Sequence, residues 1–289
     1  MSWFILALLS AFFLGCYDLA KKKSVQDNAV RVTLFLCSAF YALFMLPFLF
    51  TGHCENLPLH SHFYLFGKAA IVGGSWILTY NALAHLPLSI ATTIRALAPV
   101  FTIFIAVTFM GERPFALQWV GVAICICSYV GLSLAGRKEM GHFFSNGWVI
   151  CMVLGTILAA CSGVYDKFIL QRMSFDPLTV QVWFSIYMML WQFVICAVTW
   201  FPRRHKTTPF KFRWSIVLVA VLLIVADRCY FVAVSDPDAL ISIITVFRRS
   251  SVLISFFSGI LFFRERKSKM KFVALLGVIL GICMIALGK

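Results

Sequence analysis

Ten runs of mostly apolar residues follow one another along this chain, each near the roughly 20 residues that an α-helix needs to cross about 30 Å of hydrocarbon. They fall at 3–20, 30–51, 63–85, 88–110, 115–136, 146–168, 178–201, 214–234, 238–262 and 270–287. The breaks between them carry turn residues or charge: Lys21 to Lys23, Pro87, Gly111 to Pro114, Asp176-Pro177, Pro202 to Arg213, Asp236-Pro237 and Arg264 to Lys271. Charged residues make up 12% of the 289 positions and hydrophobic ones 62%, whereas a soluble domain carries about 25% charged residues. A water-facing surface cannot be built from that supply, so lipid is the expected solvent and the lipid bilayer the first expected partner. The first run, Met1 to Cys16, lacks a basic leader and a small-residue cleavage site, and is read as a spanning helix rather than a signal peptide.

The net charge of +14 does not point to nucleic acid. The basic residues sit between apolar runs, where lysine and arginine hold membrane loops on the cytoplasmic side. Loops after spans one, five, seven and nine, with the span ends beside them, carry most of the Lys and Arg. That asymmetry places both termini outside the cytoplasm. Ten cysteines, nearly all in or beside apolar runs, read as small buried hydrophobes. His53, Cys54, His60 and His62 share one loop, but their spacing fits no standard zinc pattern, so no metal site is expected.

An internal repeat organises the chain. Gly15-Cys16-Tyr17-Asp18 ends span one and Gly163-Val164-Tyr165-Asp166 ends span six; Tyr80 answers to Tyr230, Pro87 to Pro237, Thr92 and Arg95 to Thr245 and Arg248, and Glu112 to Glu265, all 148 to 153 residues apart. Five spans per copy is odd, so the second copy enters the membrane from the opposite side. The expected fold is therefore all-α and integral to a membrane: ten transmembrane helices as two inverted five-helix repeats, residues 1–140 and 141–289, as in several secondary transporters.

Within the spans Asp18, Arg95, Asp166, Asp227, Arg228, Arg248 and Arg249 are ionisable. Each costs at least about 2.5 kcal/mol at a helix centre and normally faces the bundle interior or a pathway. Asp18, about 15 residues along span one, and Arg95, about 7 into the antiparallel span four, lie roughly 8–11 Å from the same face at 1.5 Å per residue. An Asp18–Arg95 pair is expected, with Asp166–Arg248 its repeat, and Arg248 or Arg249 is a candidate partner for Asp227. These pairs are either structural or serve a substrate: arginine's planar fork suits carboxylate and phosphate, and Asp18, Asp166 and Asp227 serve as counter-ions or proton sites. Arg95, Arg248, Arg249 and Arg228, with Tyr17, Tyr80, Tyr165 and Tyr230, are the candidate substrate-binding residues. Trp76, Asn81 and Gln181 rank below them, and Pro99 is a candidate kink in span four. No HExxH, GxSxG, P-loop or dinucleotide fingerprint occurs, so neither enzyme chemistry nor a cofactor is expected.

Ten spans in two repeats, with Pro99 and Gly111-Glu112 in the fourth span and Glu265 at the end of the ninth, resemble the EamA-type members of the drug/metabolite transporter superfamily. The second copy departs from the pattern, since Arg264 replaces the glycine and no proline matches Pro99. The resemblance implies a permease of the cytoplasmic membrane for metabolites or amino acids, and implies both termini inside, against the charge count. The combined expectation is a secondary transporter for a small anionic or zwitterionic metabolite working by alternating access, with a proton as a candidate coupling ion. A flippase for an amphipathic anion is the alternative within transport; a membrane enzyme or scaffold is the alternative outside it.

Overall fold

The computed structural model describes residues 3–25, 28–52, 54–55, 57–85, 94–95, 97–134, 147–202, 208–251, 254 and 269–288. Helices occupy each of the ten expected segments: α1 (Trp3–Val25), α2 (Val30–Phe50), α3 (Leu59–His85), α4 (Ala98–Met110), α5 (Ala116–Leu134), α6 (Gly147–Arg172), α7 (Pro177–Thr199), α8 (Trp214–Ser235), α9 (Ile241–Arg249) and α10 (Lys269–Leu287). Among the described residues there is no strand. Five helices, α1, α2, α6, α7 and α8, are long and apolar enough to cross a membrane alone; Ala98–Met110, Ala116–Gly131 and Leu276–Ile285 are shorter apolar helices. Phe50, Phe63, Phe109, Trp214 and Leu287 each expose more than two thirds of their surface, and an apolar exterior of that kind is stable only against hydrocarbon.

Local chemistry explains the helix ends. Asp176 caps α7, its carboxylate accepting from Thr179 N at 2.7 Å, with Pro177 in the first turn where its missing N–H is not needed. Gly111 ends α4 in the left-handed region at φ 69°, a conformation that glycine adopts without a Cβ clash. Pro99 lies in the first turn of α4, and the helical residues Ile94 and Arg95 before it are separated from that helix by a turn at Leu97, so span four is interrupted at this proline. One expectation is corrected. The expected break at Lys21 is absent because α1 runs on to Val25; lysine favours helix, and its long stem lets the ammonium reach a polar site. Lys21 Nζ lies over the rings of Tyr17 and Trp76, 5.2 and 5.5 Å from their centroids.

The helices pack across the two halves of the chain. Five of the packed pairs are α1 with α8, α3 with α6, α2 with α7, α4 with α9 and α5 with α10. Exchanging the first five helices for the last five maps this set onto itself: α1–α8 becomes α6–α3, and the other three pairs are their own counterparts. The pairs α4–α6 and α1–α9, and α3–α7 and α2–α8, are likewise exchanged.

The α5–α10 pair shows what such close packing demands. A Cβ placed on Gly121 would lie 2.7 Å from the Gly281 carbonyl oxygen, and one on Gly281 would lie 2.7 Å from that of Gly121. Both contacts are with backbone, which cannot yield, and small residues are what allow membrane helices to approach this closely. Gly281→Leu is expected to force α10 off α5 and to destabilise the protein by about 1–3 kcal/mol, read as a lower unfolding midpoint in detergent.

Candidate functional site

The polar interior lies toward the end of the bundle that holds Trp3 and Leu287, here termed the terminal end. Tyr41, Lys68, Asp166, Gln181, Asp227, Tyr230 and Arg248 sit four to nine residues from that end of their helices, about 6–14 Å along the axis. Their side chains form one sequence of contacts. Lys68 Nζ stands 2.8 Å from Asp166 Oδ1, with side chains 2% and 6% exposed, and lies over the rings of Phe231 and Phe184, 3.8 and 4.4 Å from their centroids. The Tyr230 hydroxyl donates to Asp166 Oδ2 at 3.1 Å, and the Arg248 guanidinium lies 3.9 Å above the Tyr230 ring. Arg248 Nη2 meets Asp227 Oδ1 at 3.2 Å. Asp227 Oδ2 accepts from Tyr41 Oη at 3.1 Å, and Tyr41 Oη accepts from Gln181 Nε2 at 3.1 Å.

Six helices thus contribute to a string of two cations and two carboxylates whose charges cancel. Charges away from water need pairing and additional hydrogen bonds, and the two tyrosines supply the bonds while the aromatic rings receive the cations.

A second buried pair lies nearer the terminal end. Lys167 Nζ meets Glu112 Oε1 at 2.7 Å and also donates to the Ala239 carbonyl at 3.0 Å. Glu112 in turn accepts the first N–H groups of α9: Ile241 N at 2.7 Å and Ser242 N at 3.1 Å, with the Ser242 hydroxyl. A carboxylate from the turn after α4 therefore caps a helix of the second half. A helix N-terminus is short of acceptors and carries positive dipole character, so an acid suits it.

The ion pairs differ from those expected. Asp166 is held by Lys68 rather than Arg248, and Tyr230 stands between the two expected partners. Arg248 is the partner of Asp227, one of the two candidates for that place. Asp18 and Arg95 do lie at one depth, each 15 residues from the terminal end of its segment, or about 22 Å. They nevertheless form no ion pair and are both exposed. Asp18 feels the charges of Lys21, Arg95, Arg249 and Arg248, while Arg249 Nη2 donates to the Arg95 carbonyl oxygen. The exposed group thus lies beyond the buried string, toward the other end of the bundle.

The remaining candidates scatter. Tyr17 is buried beneath Lys21. Tyr165 turns away from Asp166, stacking on Phe168 and donating to the Tyr64 carbonyl oxygen at 3.1 Å, because adjacent helical residues point apart. Arg228 likewise separates from Asp227 and is half-buried, its Nη1 without a hydrogen-bond partner among the described residues. His62 Nδ1 lies 3.0 Å from the Tyr187 hydroxyl. The side chain of Tyr80 and residues Thr92, His53, Arg264 and Glu265 lie outside the described residues.

Sequence reasoning passed over Lys68, Lys167 and Tyr41, gave Gln181 little weight, and used Glu112 only as a motif. Lys68 and Lys167 did carry a signal, as ionisable residues inside the spans 63–85 and 146–168. Tyr41 carried none, since its role depends on which helix faces it.

The sequence profile of the EamA-like transporter family matches residues 1–134 and again 146–287. A probable terminal-alkyne amino-acid exporter from Streptantibioticus cattleyicolor is 30% identical over 103 residues, a stretch covering 33% of this chain and 32% of that protein. A protein of known crystal structure superposes with a TM-score of 0.78 at 13% identity, over 99% of this chain and 96% of that one; at that identity the likeness concerns the fold.

Proposed function

This chain belongs to the EamA-like transporter family, and from that premise we propose that it is a secondary carrier moving a small anionic or zwitterionic metabolite by alternating access. It is a multi-pass membrane protein of a transporter family; the proposal adds ten spans in two inverted repeats, residues 1–140 and 141–289, in the cytoplasmic membrane, with no enzymatic role. The lysines and arginines of the loops favour termini outside the cytoplasm. The name of the bacterial relative, an amino-acid exporter, favours a cargo with a carboxylate.

One observation carries the reading. A charge-neutral string of side chains ties both halves together near the terminal end, while Asp18 and Arg95 stay exposed toward the other. A carrier needs one end closed by contacts that can be exchanged for equivalent ones at the other end. Repeats that pack in exchanged pairs provide a route to that exchange.

In this reading Arg95 and Arg248 bind or gate, with Arg249 and Arg228 in support. Tyr17, Tyr80, Tyr165 and Tyr230 line the path, and Asp18, Asp166 and Asp227 act as counter-ions or proton sites. A thermal-shift screen of the purified protein against a metabolite library supplies the cargo, and counterflow of that cargo in proteoliposomes tests the carrier. Arg248→Gln is expected to reduce counterflow by about tenfold or more, the loss that accompanies removal of one charge-assisted contact. Counterflow at the wild-type rate by that variant would refute the assignment.

A further inference from the structure

Resting on the carrier reading, the exposed group at the other end of the bundle narrows the cargo. Arg249, in the last turn of α9, donates to the backbone oxygen of Arg95, so one arginine from each half of the chain reaches the same place. The Arg249 guanidinium therefore stands against the backbone of the residue that carries the second guanidinium. Among the described residues no carboxylate comes within ion-pair distance of either guanidinium: the ion pairs there are Lys68–Asp166, Lys167–Glu112 and Arg248–Asp227. Asp18 is the carboxylate near them, and Lys21 follows it one turn further along α1. With that charge offset, two guanidinium charges remain in excess.

Like charges are held together in a partly desolvated place only when an anion stands between them or water screens them. The buried string shows the contrast, since there each cation has its own carboxylate. Two planar forks present parallel N–H donors that match the oxygens of a carboxylate or a phosphoryl group. A zwitterion would bring its ammonium group into this positive surplus; a ligand with two negative charges cancels it.

We propose that Arg95 and Arg249 form a receptor for a doubly charged oxyanion, a dicarboxylate or phosphate-bearing metabolite, on the exposed side of the buried string. Closing that side over an empty site would trap two uncompensated charges, and closing it over a dianion would not. The loaded carrier therefore closes more readily than the empty one, which favours exchange of one dianion for another over net release.

The test uses the full chain in lipid nanodiscs at constant ionic strength, with sodium phosphate, succinate, alanine and chloride as probes of the unfolding midpoint. Phosphate or succinate is expected to protect saturably at a concentration about tenfold or more below that of alanine, with chloride inert. Arg95→Gln and Arg249→Gln are each expected to raise that concentration by about tenfold. Arg249→Lys keeps the charge and loses the fork, so partial recovery marks a fork-specific contact. Whichever of succinate and phosphate binds better identifies the acid group. Stronger protection by alanine, no saturable protection by either dianion, or unchanged binding in both glutamine variants overturns the proposal. Binding that survives without counterflow would refute the carrier and leave the anion receptor standing.

Discussion

Lys68→Met is expected to destabilise the folded protein by about 3–5 kcal/mol, because it leaves the Asp166 carboxylate buried beside aromatic rings without a cation. The lysine is nearly inaccessible and its ammonium is 2.8 Å from that carboxylate, so water cannot take its place cheaply. The companion variant separates charge from packing. Lys68→Met with Asp166→Asn removes both charges and keeps the Tyr230 hydroxyl bonded to an acceptor, and a buried pair removed as a unit is often close to neutral. The double variant is therefore expected to recover most of the lost stability, measured as unfolding midpoint and denaturant sensitivity in one detergent. A double variant as unstable as Lys68→Met would mean that the lysine stem, packed on Phe184 and Phe231, matters more than its charge.

Glu112→Gln is expected to have the next largest effect, about 3 kcal/mol or more, since it strands the Lys167 ammonium and gives α9 an amide that accepts through one oxygen instead of two. The wild-type carboxylate serves Ile241 N, Ser242 N, the Ser242 hydroxyl and Lys167 at once. Residues sharing one network couple by about 0.5–3 kcal/mol. Glu112→Gln combined with Lys167→Met should therefore lose clearly less than the sum of the two single variants in a double-mutant cycle. Because α9 carries Arg248 and Arg249 in its last turn, the same variant is expected to weaken anion protection in the nanodisc assay. Strict additivity and unchanged anion protection would mean that the cap is only local.

The fold was largely legible because the signals that define it are local. Apolar run length placed a helix in every expected segment, though α4 starts ten residues into its span, and Asp176-Pro177 and Gly111 marked ends whose chemistry is complete within a single turn. The repeat was legible too, since Asp18 and Asp166, Tyr80 and Tyr230, and Arg95 and Arg248 recur in the same order at separations of 148 to 153 residues. The interior was legible by residue type, because an ionisable group inside an apolar run has few places to go. Asp166, Asp227, Tyr230 and Arg248 duly meet in one network. Its wiring was not legible. Repeat logic paired Asp166 with Arg248, yet Lys68 occupies that place, and by the Tyr80–Tyr230 register its counterpart is an uncharged leucine, Leu218.

The sequence by itself determined that this chain lives in lipid, that it is built twice from one plan, and that Asp166, Asp227 and Arg248 are among the charged residues its interior accommodates. Only the tertiary structure decided the partners: Lys68 with Asp166, Arg248 with Asp227, and Glu112 beneath α9, with Arg95 and Arg249 left together. The physical reason is geometric. Helix formation in a membrane depends on residues within a turn or two of one another, while an ion pair depends on which faces of distant helices are pressed together. For Lys68–Asp166 and Glu112–Lys167 those faces come from opposite halves of the chain, and for Arg248–Asp227 from two helices of the second half.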